Sequence, residues 1–152
     1  MKRLRLRKQQ AGATLIEALV AIIVFALGML GQVAFMLTAM QNNQQSRYRA
    51  VASYYAEEMA SMAIADIANR SKYKVGSNST CTDTAFAPCT SWLTRLKGDL
   101  PQATGTAVSV DYDDTATSAT FGRMKITVQW KAADGSTPQQ LVSTTNLNLI
   151  NQ

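Results

Sequence analysis

The sequence predicts an α+β fold in which a long N-terminal α-helix, with a membrane half and an amphipathic half, packs on a small antiparallel β-sheet. Three observations carry this. Residues 18–46 contain no charged side chain, and no proline occurs between residues 13 and 70. Beyond residue 107, apolar residues alternate with polar ones in short runs, the period of strands with one buried face.

The chain begins with a short basic segment. Lys2, Arg3, Arg5, Arg7 and Lys8 supply five of its fifteen basic residues before Gly12, and no acid accompanies them. Cleavage after Gly12 would leave ten basic against ten acidic residues, so the excess charge belongs to the leader. No basic stripe interleaved with aromatic residues remains to follow a phosphate backbone, which argues against nucleic-acid binding as a main function of the mature part. The chain has no histidine, which excludes Ser-His-Asp and Cys-His catalysis and any His-based metal site. Gly-Lys-Ser/Thr and Gly-x-Gly-x-x-Gly are absent as well. The inventory points away from an enzyme and calls for no cofactor.

Ala18–Gly31 has neither a charge nor a hydrogen-bonding side chain, and Gln32–Met40 is only slightly more polar. A bilayer span needs roughly 20 apolar residues, whereas a secretory signal core has about 7–15. Five basic residues precede the span and only Arg47 and Arg49 follow closely, so the positive-inside rule puts residues 1–12 in the cytoplasm and the bulk of the chain in a periplasm-like space. Glu17 stands at the head of this segment, five positions past Gly12. A carboxylate in a membrane helix costs a few kcal/mol, and the default reading of such a residue is functional. The competing reading is an uncleaved signal anchor whose Glu17 snorkels to the membrane edge.

Gly12-Ala13-Thr14-Leu15-Ile16-Glu17, with its basic leader and apolar run, resembles the N-terminal signal of the type IV pilin-like prepilins, which include type II secretion pseudopilins. The resemblance implies a type IV pilin-like fold and a substrate of prepilin peptidase rather than an enzyme. Cleavage would fall between Gly12 and Ala13, N-methylation by the same peptidase/N-methyltransferase on Ala13, and the assembly acid at Glu17. The family usually has Phe where this chain has Ala13, so the departure falls on the methylated residue. The implied partners are that peptidase, other minor and major pilins, the inner-membrane assembly platform and the membrane itself, crossed once. A physical reason for the acid accompanies the resemblance. Cleavage creates a cationic amine at Ala13, and the Glu17 carboxylate of a neighbouring subunit can pair with it in an apolar filament core.

The pattern predicts one helix from about Thr14 to Asn69, roughly 84 Å long at about 1.5 Å per residue. Gly28 and Gly31 are its weak points, each costing about 1 kcal/mol relative to Ala. Two readings stand: small residues that let neighbouring helices approach, or the local helix melting that the pilin resemblance implies for this region. From Tyr48 the helix becomes amphipathic. Tyr48, Val51, Tyr55, Met59 and Met62 recur every three or four residues, Ala52, Ala56 and Ala63 widen the stripe, and Ile67 extends it. This is the expected seat of the sheet.

The outer part, from residue 41 to 152, continues with Gly76–Ser91, which reads as loop. It holds the only two cysteines, Cys81 and Cys89, which outside the cytoplasm are expected to form a disulfide. A redox or metal role would want tighter spacing or more ligands. Ser91–Leu100 reads as a short helix presenting Trp92, Leu93 and Leu96, stopped by Gly98 and Pro101. Strands are expected around Val108, Val110 and Tyr112, around Met124, Ile126, Val128 and Trp130, and around Leu147 and Leu149, with Asp134-Gly135 in the loop before the last. Asp111, Asp113 and Asp114 hint at calcium, but an EF-hand spacing would put Ala116 at its glycine position and Gly122 at its bidentate acid. The plainer reading is a solvated turn.

Three details resemble the minor pilins known as type IV pilus modification proteins. These are the Ala-Leu-Gly-Met-Leu-Gly ending of the apolar run at Gly31, the Trp92–Pro101 stretch, and the strand Met124–Trp130. This resemblance implies a low-abundance subunit of the complex that primes assembly and caps the pilus. The nearest alternative is a minor pseudopilin of type II secretion, and a different class of reading is an uncleaved, membrane-anchored periplasmic binding protein.

Overall fold

The computed structural model describes residues 13–101, 108–113, 122–132, 135 and 137–147. The basic leader, including Gly12, lies outside the described residues, as do Asp114, Ala116, Asp134 and Leu149. The chain divides into two units, Met1–Met40 and Gln41–Gln152. Helix α1 (Ala13–Ala65) supplies the described part of the first and opens the second.

In the first unit the helix stands without a covering layer. Leu15, Ile22, Phe25, Leu30 and Phe35 are each more than 60 % exposed. A helix apolar all round and uncovered is not the helix of a soluble surface, where one stripe is apolar and the other faces are polar. The backbone needs no outside partner, and Thr38 Oγ1 donates back to Ala34 O at 3.1 Å, as a hydroxyl in an apolar setting must. α1 is long and apolar enough to cross a membrane, with a stretch of mean hydropathy 2.4.

In the second unit the rest of α1 packs on a three-stranded antiparallel sheet of order β1-β2-β3, formed by Val108–Tyr112, Arg123–Trp130 and Gln139–Asn146. The α+β arrangement is the expected one. Ala52, Tyr55, Ala56, Met59 and Ala63 are buried, with Tyr48, Val51 and Met62 packed at the margin, so the amphipathic stripe faces the core. Met124, Ile126, Val128 and Trp130 meet it from the central strand β2, and Val108, Val110 and Tyr112 from β1. Each such large side chain removed from water contributes roughly 1.5–3 kcal/mol.

Three element boundaries differ from the sequence expectation. α1 stops at Ala65 rather than Asn69, and the chain continues as a 3-10 helix over Ile67–Tyr73. The cause is Asp66, whose backbone leaves the helix and whose carboxylate accepts from Asn69 Nδ2 at 2.9 Å and from Tyr73 Oη at 3.4 Å. Short acids compete with helical hydrogen bonds in this way. The second helix, α2, spans Ala87–Asp99 and so begins inside the stretch read as loop. Pro88 sits in its first turn, where a missing N–H costs nothing. Gly98 does not stop it; the helix closes at Leu100, whose N–H reaches Leu96 O at 3.1 Å.

The third strand lies upstream of the expected one. β3 ends at Asn146, and Leu147 follows it as a buried core residue. β3 alternates half-buried with exposed positions, and its inward residues include Gln139, Ser143 and Thr145. A strand whose inner face is largely polar gives no apolar alternation to read.

The loop before α2 is held from both sides. Cys81 and Cys89 form a disulfide with an S–S distance of 2.01 Å and a Cα–Cα distance of 6.2 Å. Closing so short a loop stabilises by about 2–3 kcal/mol in the chain-entropy picture. Val75 exchanges backbone hydrogen bonds of 3.0 Å with Val110, which fastens the loop's start to β1. Buried Ser79 accepts from Val108 N at 2.9 Å, and Lys97 Nζ donates to Ser79 O at 2.7 Å.

α2 is locked to α1 by one polar cluster. Trp92, fully buried, donates from Nε1 to Tyr55 O at 3.0 Å, and Tyr55 Oη donates to Asp99 Oδ2. Arg95 pairs with Glu58 at 2.8 Å on the exposed side of the same contact. Burial, reinforced by the hydrogen bond to Asp99 and its negative charge, pushes the Tyr55 phenol from 10.0 up to about 12. Burial raises Tyr73 too, with Asp66 adding to it. The native state therefore holds its Tyr55 proton where the unfolded chain releases it. Stability is full below pH 10 and falls as pH rises towards about 12. Urea unfolding should show this alkaline loss in the parent protein and a smaller one in Tyr55→Phe. An equal loss in both would remove Tyr55 as its source.

Candidate functional site

The residues singled out by the sequence gather at the start of α1. Ala13 is the first described residue and already helical, and Thr14, Leu15, Ile16 and Glu17 follow in unbroken helix. Four residues make about one helical turn, so Glu17 follows Ala13 by one turn of α1. The Glu17 side chain is exposed, and no hydrogen bond or ion pair among the described residues engages it. Gly12 lies outside the described residues.

Gly28 and Gly31 fall inside regular α1. A Cβ built on either would meet nothing within 4 Å. Nothing among the described residues uses their small size. Their contribution therefore lies in backbone freedom or in contact with another helix, the same two readings that the sequence leaves open.

The other candidates sit in the second unit. Cys81 and Cys89 are both buried and joined, and no free cysteine occurs among the described residues. Asp111 and Asp113 do not converge with another acid among the described residues; they line a shallow site with Arg123, Lys125 and Thr144, and Asp111 stands opposite Lys125 across the β1–β2 ladder. Interleaved cations make this a balanced, solvated charge surface. No group of three or more acids, cysteines or histidines suited to a metal occurs among the described residues.

The Tyr55–Asp99–Trp92 cluster had no sequence signal. Tyr55 and Trp92 read as apolar core residues, and Asp99 carried no pattern of its own. Their contacts join positions 44 and 37 residues apart, beyond the reach of any local pattern.

Residues 7–31 match the family model described as the prokaryotic N-terminal methylation motif. The match covers the end of the leader, Gly12, Ala13, Glu17 and both helix glycines. A motif of this prepilin type indicates a substrate of prepilin processing, of the kind shared by type IV pilins and pseudopilins, and a protein anchored through its one long apolar helix. Comparison with curated proteins and with solved structures gives no significant match.

Proposed function

We propose that the chain is a minor type IV pilus subunit of the PilV kind. It is stored in the inner membrane with residues 1–12 in the cytoplasm and its outer domain in the periplasm. Prepilin peptidase cuts it between Gly12 and Ala13 and methylates Ala13, and the subunit then enters a complex that primes assembly and caps the pilus. In this reading residues 13–40 form the membrane and assembly half of the helix, and residues 41–152 the displayed domain. The observation that carries it is Glu17, set five positions past Gly12 within the matched motif, with a carboxylate unengaged among the described residues.

The chemistry follows from what cleavage creates. A new α-amine at Ala13 is a cation at the head of an apolar helix. In a bundle of such helices, an acid on a neighbour attracts it by roughly 4 kcal/mol at about 4 Å with an effective dielectric near 20, before desolvation is subtracted. The exposed Leu, Ile and Phe side chains of residues 15–35 supply the apolar contact around that pair. The outer domain takes no part in this step. Its disulfide and its core keep it folded outside the cell.

The matched motif serves pseudopilins equally, so a GspI-like minor pseudopilin of type II secretion is the second reading. Deleting the gene and examining sheared surface filaments separates the two. Loss of pili with secretion intact, and the protein present in trace amounts in parental filaments, is the expected result. Intact pili with blocked protein secretion would replace the pilus reading by the secretion one.

A further inference from the structure

A cleft of about 210 Å³ lies where the outer half of α1 meets the end of β2 and the start of β3. It is lined by Gln45, Ser46, Arg49, Trp130, Gln139 and Gln140, all within the second unit. Its volume is below the roughly 300–1,000 Å³ of sites for drug-sized ligands, so it fits a small group.

Two of its side chains carry unsatisfied polar atoms of opposite kind. Trp130 is 2 % exposed, and its Nε1–H is buried without an acceptor among the described residues. Gln45 Oε1 is buried without a donor among the described residues. Buried polar groups are rarely left so, and those that are call for an explanation, a bound group among them. The neighbouring groups are spoken for. Ser46 Oγ donates to Asn42 O, Gln129 Nε2 donates to Gln140 Oε1, and Gln139 Nε2 donates to Thr137 O. Arg49 is exposed, makes no ion pair among the described residues, and faces no acid in the cleft.

These three features select a chemistry. A simple carboxylate would satisfy Arg49 and the Trp130 N–H but offers nothing to Gln45 Oε1. A neutral sugar would satisfy both orphan atoms and leave the guanidinium without a counter-charge. A phosphate ester that carries a free hydroxyl meets all three, with phosphate oxygens accepting from Arg49 and Trp130 and the hydroxyl donating to Gln45. Both orphan atoms are closed to solvent, so entry requires the half-buried Gln45 side chain to turn.

We infer that this cleft binds a glycerophosphate group. Two sources carry one, a soluble glycerol phosphate and the headgroup of an anionic phospholipid. Gln45 and Arg49 follow Met40 by five and nine residues in the sequence, in the first polar turns after the apolar run. Tryptophan and arginine are at home at that depth of a bilayer interface. This binding is independent of cleavage after Gly12 and of which assembly machine the chain serves.

The test is calorimetric titration of the full-length protein in a neutral detergent. The probes are sn-glycerol 3-phosphate, a short-chain phosphatidylglycerol, and the matching phosphatidylcholine, which lacks the hydroxyl. Phosphatidylglycerol should bind, and phosphatidylcholine should bind much more weakly. Arg49→Gln and Trp130→Phe should each weaken binding about tenfold or more, the loss of one charge-assisted or buried hydrogen bond. Arg47→Gln, one position outside the cleft lining, should bind like the parent. Equal binding of glycerol 3-phosphate would identify the soluble ester as sufficient; binding of the lipid alone would identify the headgroup. The inference is overturned if neither ester binds, if phosphatidylcholine binds as tightly, or if Arg47→Gln loses as much as Arg49→Gln. Trp130→Phe removes a donor that has no partner in the free protein, so it should still unfold cooperatively. Arg49→Gln, at an exposed position, keeps the test decisive if that core change destabilises the fold.

Discussion

Glu17→Val is expected to remove the protein from sheared filaments while leaving its outer domain folded. The substitution keeps the segment apolar, so membrane insertion stays favourable; taking a carboxylate out of the span makes it more so. What is lost is the counter-charge for the amine that cleavage creates. A cation left unpaired in an apolar helix bundle is strongly destabilising, at about 3–5 kcal/mol for breaking a buried pair. That is a loss of several hundredfold or more in the equilibrium for joining a filament. The outer domain should not register the change, since Glu17 lies in the first unit and the core residues all belong to the second. Immunoblots of sheared filaments and of membranes, with urea unfolding of the purified variant, measure both halves. Recovery of Glu17→Val in filaments at the parental level would refute the charge-pair account. Glu17→Asp sharpens the result: it keeps the charge on a shorter side chain and should restore part of the incorporation.

Trp92→Ala should lower the stability of the outer domain by about 3–5 kcal/mol, the range for truncating a buried aromatic residue. The side chain is fully buried, stacks edge-on against Tyr55 at 6.2 Å between ring centroids, and spends its N–H on Tyr55 O. Against a total of about 5–15 kcal/mol for a typical domain, that is a large share. Trp92→Phe retains most of the volume and loses the hydrogen bond, so it should cost clearly less. Urea unfolding followed by the fluorescence of Trp130, the other tryptophan and a buried core residue, reads both variants. A cost under about 1 kcal/mol for Trp92→Ala would mean that α2 is not the clamp its contacts describe.

Legibility of this chain from its residues followed the range of the interactions. α1 was legible nearly to its end, because a charge-free run and then a three-to-four spacing are local patterns. The inward residues of β1 and β2 were legible for the same reason: Val108, Val110, Tyr112, Met124, Ile126, Val128 and Trp130 alternate and are all buried. β3 was not, since its inward positions include Gln139, Ser143 and Thr145, and only pairing with β2 makes them a strand. The end of α1 turned on Asp66, whose preference shows only once Asn69 and Tyr73 are placed beside it. Pro88 was read as a loop residue, although its position suits the first turn of a helix.

The candidate site divides in the same way. The spacing from Gly12 to Glu17 is a property of the chain and was visible at once. The unengaged state of the Glu17 carboxylate, and the open space around Gly28 and Gly31, needed the structure. The cleft at Trp130 was legible in neither pattern nor composition. Trp130 read as the last core residue of a strand and Gln45 carried no signal, because the cleft exists only where residues about 85 positions apart meet.

The account rests on processing at one bond, and the mature N-terminus of protein extracted from membranes tests it most directly. Edman or mass-spectrometric sequencing should find Ala13 as the first residue, with the leader gone. Protein that retains Met1 and the leader, in cells whose prepilin peptidase is active, would contradict it and leave an uncleaved anchor in its place.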